Sequence, residues 1–359
     1  MAGLFYRDDM DDVRARLAAW WNGEDIGRPV LLLTVPREKP LEEVPCMPEP
    51  RGWVTHYSTS NFEYRVNLAA RRCVNTHYLG EAVPTVAPDL APNCLALYLG
   101  CKGIEMPGTV WCAPCMASPD EARFEVDEDN FYWQFTLRLG REMLRMAPGK
   151  FLVEFPDLIE GLDTLAAMRG TEELLTDLVE RPDWVHACLR PITDRYFDYY
   201  DPLYAQFRDE VGGSVFWMWA PGRMTKLQCD FSAMISPSMF DEFMVPILRE
   251  MTERVDYSMY HWDGPAALRH HDHLLSLPRL NMLQWTPGDG VELPGHRRWW
   301  PYFHKTIDAG KKIFLAGGVA PDELDGLRRE FGPKLNQFAI QMSLPSLQEA
   351  RDTLERASG

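Results

Sequence analysis

The sequence predicts an α/β fold: one (β/α)8 barrel of the TIM type with an N-terminal helical and irregular extension. Three observations carry this. From about residue 130 onward, short apolar runs alternate with helix-length amphipathic segments, which implies parallel strands joined by crossover helices. Counted from the apolar run at 30–35 there are roughly eight strands, the number that closes such a barrel. The competing doubly wound sheet needs a glycine-rich turn after its first strand, and Val35-Pro-Arg37 stands there instead. The chain, residues 1–359, reads as one domain, with 1–130 including the extension and the irregular insertions.

The first helix is expected over 10–21, charged on one side and carrying Val13, Leu17, Trp20 and Trp21 on the other. Asn22-Gly23 breaks it, and the proline-bounded run 29–36 reads as a buried strand. Residues 38–58 are proline-rich and aperiodic, 61–72 are helical, and 84–114 hold strand-like pieces at 94–100 and 108–112. The regular part opens with a helix at 131–146 and a strand at 150–156. Helices at 171–189 and 193–211, a strand at 214–219 and a helix at 236–255 follow. Strands at 255–260 and 280–284 flank a helical segment, 266–275. Helix 299–309, strand 312–316, helix 321–331, strand 335–341 and a terminal helix complete the series.

Hydrophobic content of 46% with 25% charged residues is ordinary for a globular protein. The net charge of -16 argues against nucleic acid, which needs a clustered basic face. It leaves room for an anionic small substrate held by local charge. The longest apolar runs are too short to cross a bilayer. The N-terminus lacks the basic start and apolar core of a signal peptide, so a cytoplasmic protein is expected. Its eight cysteines are then expected to be reduced. Cys112-Ala-Pro-Cys115 has the spacing of a redox or zinc half-site. No second pair with that spacing exists, and the two are read as structural.

Chemistry is expected where strands end. Tyr260-His-Trp-Asp-Gly-Pro265 and Leu283-Gln-Trp-Thr-Pro-Gly288 each close a strand-like run, at the edge where barrels build active sites. His261 and Asp263 are two apart and project to one side of an extended backbone. Together they can hold a metal or shuttle a proton. Asp157 reads either as an acid or base or as a helix N-cap, and Asp163 as a cap. Asp230 is a second acid/base candidate and Cys229 a thiolate ligand; the alternative is a loop-fixing Arg–Asp pair beside a buried thiol.

Arg223 is expected to clamp a carboxylate or phosphate, and Arg37 is a further cation after the first strand. Trp219, Tyr260, Gln284 and Trp285 are expected to line a substrate pocket. Strand alternation turns Trp219 and Trp285 inward or over the mouth and Trp262 away. The expected pocket has aromatic walls and few charges, with the Asp230 and Asp263 carboxylates within roughly 12 Å of each other. Arg269-His-His-Asp-His273 falls in a helix leaving the rim, where packing or surface roles are expected.

Four segments together resemble the uroporphyrinogen decarboxylase-like superfamily. They are Trp21-Asn-Gly-Glu-Asp-Ile-Gly-Arg-Pro-Val30, Gly161-Leu-Asp-Thr-Leu-Ala-Ala-Met-Arg-Gly170, Leu227-Gln-Cys-Asp-Phe-Ser-Ala-Met-Ile-Ser-Pro237 and Tyr260-His-Trp-Asp-Gly-Pro265. The resemblance covers nearly the whole chain and implies a (β/α)8 barrel. The superfamily contains uroporphyrinogen decarboxylases, cobalamin-independent methionine synthase catalytic domains, and methyltransferases that work with corrinoid proteins or coenzyme M. In the methyltransferases it implies zinc on a His-x-Cys at a strand end, with a later Cys and often a Glu, holding the acceptor as thiolate.

Here Asp263 stands where the first Cys falls and Gln284 near the Glu, while Ala339-Ile-Gln-Met-Ser343 lacks the last Cys. That donor set is harder and less thiolate-like. The decarboxylases hold a tetrapyrrole with an arginine-rich N-terminal segment, and Arg37 stands alone here.

The resemblance therefore implies a methyltransferase moving a methyl group between a small methylated substrate, or a corrinoid protein, and an acceptor. His261 and Asp263, with Cys229, are the expected ligands if zinc is used, and a corrinoid would be carried by a partner. The alternatives are a metal-free decarboxylase (a carboxy-lyase) acting on a cyclic carboxylic acid, and a barrel that only binds a ligand.

Overall fold

The computed structural model describes residues 5–50, 57–106 and 108–358. Residues 1–4 at the expected leaderless start, and 51–56 of the expected irregular loop, lie outside them. Along the chain the strands are β1 (Val30–Pro36), β2 (Thr76–Gly80), β3 (Thr85–Val86), β4 (Lys102–Met106), β5 (Thr109–Ala113), β6 (Leu152–Val153), β7 (Ser214–Phe216), β8 (Met218–Ala220), β9 (Met224–Gln228), β10 (Tyr257–Asp263), β11 (Met282–Thr286), β12 (Lys312–Leu315) and β13 (Phe338–Ser343).

The architecture is mixed α/β around a central parallel sheet, ordered β2-β1-β13-β12-β11-β10-β9, in which only β2 runs antiparallel. A separate parallel pair joins β3 to β6. β1 and β12 are near-continuous apolar runs, as strands covered by helices on one face and packed inward on the other require. Amphipathic helices supply the cover; helix Phe131–Met146, for instance, is capped by the Asn130 side chain accepting the Tyr132 and Trp133 N–H groups at 2.9 and 3.0 Å.

Several elements differ from expectation for definite reasons. The expected strand 214–219 is a hairpin, β7–β8, because Trp217 takes a left-handed backbone (φ 58°) and turns the chain back. The sheet strand is β9, just beyond it. The piece at 94–100 is a helix, Cys94–Tyr98, started by Asn93 accepting the Ala96 N–H at 3.2 Å. The helix expected at 171–189 divides into Thr171–Glu180 and Pro182–Phe207, since Pro182 has no N–H to continue the first and is well placed to begin the second.

Register decides which side chains meet. Gln228, His261 and Gln284 are direct neighbours across β9, β10 and β11 and share one face. Trp262 and Trp285 are neighbours on the other face. There Trp262 stacks on His271, and Trp285 packs against Trp262 and Trp299 with ring centres 5.0 and 4.9 Å apart.

Candidate functional site

His261 and Asp263 end β10, and Asp230 follows β9 by two residues. One ligand atom from each of Asp230, His261 and Asp263 lies within 4.8 Å of the others. His261 Nε2 is 4.0 Å from an Asp263 oxygen. The other ring nitrogen, Nδ1, bonds the buried Gln284 Oε1. Gln284 Nε2 donates to Thr286 Oγ1 at 2.7 Å, so Oε1 is the accepting end and Nδ1 carries the proton. Nε2 therefore presents a lone pair on the side of the Asp263 carboxylate. Burial, and next the Lys226 charge, lower the His261 pKa and keep the ring neutral.

The floor of the site is ionic. Lys226, fully buried on β9, contacts an Asp157 oxygen at 2.5 Å and donates to Gln228 Oε1. Gln228 Nε2 in turn donates to Asp230 at 3.1 Å. Burial, then the Asp163 charge, push the Asp230 pKa up to about 7. Asp163 does not cap its helix: its carboxylate accepts the Asp230 and Phe231 N–H groups, both at 2.8 Å, and fixes the loop that carries Asp230. Asp157 is likewise an ion-pair partner and not a cap. Its N–H donates to Asp89, whose pKa burial and then Asp157 raise to about 7. Glu160 accepts the Gln228 N–H at 2.8 Å, and its burial holds the carboxyl well above the usual range.

A cavity of about 450 Å³ opens beside this group, between β5 and helix Gly161–Arg169, and is lined by Asp163, Gln228 and Asp230 together with apolar Val110, Ile159 and Phe231. The surroundings are far more charged than the sequence predicts. Aromatic walls are present but come from other residues: Trp111 and Phe231 line the cavity, and the Trp217 ring meets the His261 imidazole edge-on at 5.6 Å.

Five expected pocket residues lie elsewhere. Arg223 precedes β9, at the opposite end of the strand from Asp230, where it pairs with Asp201 and lies over the Tyr200 and Tyr204 rings. Trp219 is buried in β8 and donates to Asp209 at 2.8 Å, because Gly213 leaves room for its ring. Trp285 and Tyr260 sit on the face away from His261, since each is an odd number of residues from an inward-facing neighbour. Arg37 closes the β1–β2 edge through Thr76 O at 3.0 Å. Cys229 is outside the group that can hold a metal; it is buried, and burial holds its thiol protonated.

Arg223→Ala is thus expected to leave KM for a substrate unchanged within about twofold and to lower stability by about 1 kcal/mol. Steady-state kinetics with urea unfolding checks both; a KM raised tenfold would put Arg223 back at the site. The neighbouring histidines pack: His270 bonds Ser232 O and His271 bonds Thr306 Oγ1, both at 2.8 Å.

Sequence reasoning missed Lys226, Gln228, Glu160 and Asp89, and read Asp163 as a cap. One signal was present: Lys226, Gln228 and Asp230 recur with the same two-residue spacing as His261 and Asp263.

What fold and site define together is a carboxylate- and imidazole-lined cleft at the C-terminal ends of parallel strands. No family model matches the chain, and no curated protein matches it in sequence. Among solved structures it is similar to a methyltransferase from Methanosarcina mazei, with a TM-score of 0.60 over 96% of this chain and 98% of that one, at 12% identity.

Proposed function

We propose that the protein is a methyltransferase, moving a methyl group between a small methylated substrate, or a corrinoid protein, and an acceptor. We further infer a (β/α)8 barrel of the uroporphyrinogen decarboxylase-like type. Six parallel strands in the sheet and two in the β3–β6 pair supply eight, and Glu160 bonding the Gln228 N–H bridges one seam. The likeness to a solved methyltransferase across nearly the whole chain supports the fold.

The observation that carries the functional reading is the Asp230–His261–Asp263 group. One imidazole nitrogen with an unprotonated face and two carboxylates fit a divalent ion such as zinc, as a set harder than a thiolate site. An ion held there would supply Lewis acidity that lowers the pKa of an acceptor thiol or hydroxyl. The chain's own residues do the rest. Gln284 fixes the His261 tautomer, so that the imidazole offers its free nitrogen to the ion. The adjoining cavity receives the methylated group out of bulk water.

Isotope-labelled methyl donors (a methylated corrinoid, methyl ethers, thioethers) offered with an acceptor thiol test this. Label transfer that His261→Ala abolishes supports the reading. Carbon dioxide release from a cyclic acid without methyl transfer would support the lyase reading instead, which the proton-donating Asp230 beside the Lys226 ammonium favours. Ligand binding with neither reaction would leave a binding protein.

A further inference from the structure

Three thiols that stand apart in the sequence meet at the root of the β4–β5 hairpin. Cys101 precedes β4, Cys112 lies in β5 and Cys115 follows it. Cys101 Sγ is 3.7 Å from Cys115 Sγ, and Cys112 pairs across the hairpin with Gly103, two residues from Cys101 and therefore on the same face. In a tetrahedral thiolate site with Zn–S bonds of about 2.3 Å, two sulfurs stand about 3.8 Å apart. The Cys-x-x-Cys half-site thus has the third sulfur that its sequence neighbourhood lacks.

Cys115 is exposed and Cys112 half-buried, so an ion can enter from solvent.

We propose that Cys101, Cys112 and Cys115 form a thiolate site for zinc or a similarly thiophilic ion, distinct from the His261 group. Among the described residues only the Asp230 group has all its ligand atoms within 4.8 Å of one another. The thiol set therefore closes by side-chain rotation as the ion binds. Each thiol that ligates loses its proton to solvent and forms a metal–sulfur bond, with no change of oxidation state, and water takes the fourth position.

The consequence is mechanical. Cys115 and Met116 donate their N–H groups to Met168 O at 2.8 and 2.9 Å. The ion clips the hairpin to helix Gly161–Arg169, which carries Asp163, and so holds the cavity wall formed by Val110 and Cys112.

The test uses the full-length His261→Ala variant, reduced and freed of metal, so that the imidazole–carboxylate group does not compete. One equivalent of Cd(II) should produce a thiolate-to-metal charge-transfer absorption and slow the labelling of three thiols at least about tenfold. Cys101→Ser and the solvent-exposed Cys115→Ser should each weaken Cd(II) binding at least about 100-fold, as loss of a direct ligand exceeds loss of its support. Cys46→Ser, at an exposed thiol elsewhere, should change nothing. An absorption band unchanged in both Cys101→Ser and Cys115→Ser overturns the site. So does labelling at one rate with and without the ion.

Discussion

Lys226→Met is expected to destabilise the protein by about 3–5 kcal/mol, the effect of stranding one member of a buried ion pair. The Lys226 side chain has no exposed surface, and its ammonium contacts Asp157 at 2.5 Å. It also donates to Gln228, which in turn positions Asp230. Methionine matches the length of the stem but leaves the Asp157 carboxylate buried without a cation.

The double variant Lys226→Met/Asp157→Asn should recover part of the loss, because it removes the stranded charge along with the attraction. The effect should reach the site as well. The ammonium lowers the pKa values of both Asp230 and His261, so its removal should raise both, as an NMR titration of the His261 ring can follow. Urea unfolding supplies the stability readout through a shifted midpoint at constant slope. A single variant within about 0.5 kcal/mol of wild type, or a double variant no better than the single, would mean that the pair does not hold the floor of the site.

Why Lys226 escaped the sequence shows what is legible there. β10 and β11 stand out because most of their residues are apolar or aromatic, with Ser258 the one exception ahead of His261 and Gln284. β9 reads Met-Thr-Lys-Leu-Gln, with two polar side chains turned inward, and looks like a loop. The neighbouring Val215-Phe-Trp-Met-Trp219 run is more apolar and draws the strand assignment to itself, although Trp217 breaks it. That misplacement of one strand carries Arg223 and Trp219 to the wrong edge. Asp157 and Lys226 are far apart in the chain, and each alone has a bland reading; only the fold brings them together. Trp285 failed on parity, one residue from the inward-facing Gln284. His261 and Asp263 were legible because their two-residue spacing on a single strand is local, whereas Asp230 was singled out without the strand that positions it. The partners that set their protonation come from elsewhere in the chain.

Metal binding at the Asp230 group should be pH-dependent in a stated direction. Asp230 titrates near 7 in the folded protein, against an ordinary value of 3.8, so below about pH 7 an ion must displace its proton. His261 adds no such requirement at neutral pH, since its pKa is lowered. Zinc affinity should therefore fall by about tenfold per pH unit below 7, one proton being exchanged per ion, and should level off above it. His261→Ala should weaken binding by more than about 100-fold, and Gln284→Leu, which releases the tautomer without removing a ligand, by about 10–100-fold. Asp230→Asn should weaken binding too, while flattening the pH profile.

Stability of the metal-free protein runs the other way. Asp230 and Asp89 both have raised pKa values, so between about pH 4 and 7 the folded state holds more protons than the unfolded one, and stability falls as pH rises through that window. The ion thus stabilises most where the metal-free protein is weakest, above pH 7. Calorimetric titration at several pH values in a Cys101→Ser/Cys115→Ser background, which removes the thiolate site, with thermal unfolding in the presence and absence of zinc, gives both curves. A zinc affinity that is the same at pH 5.5 and 8, or that survives His261→Ala, would remove the ion from this site and leave Asp230 and His261 as a proton-transfer pair alone.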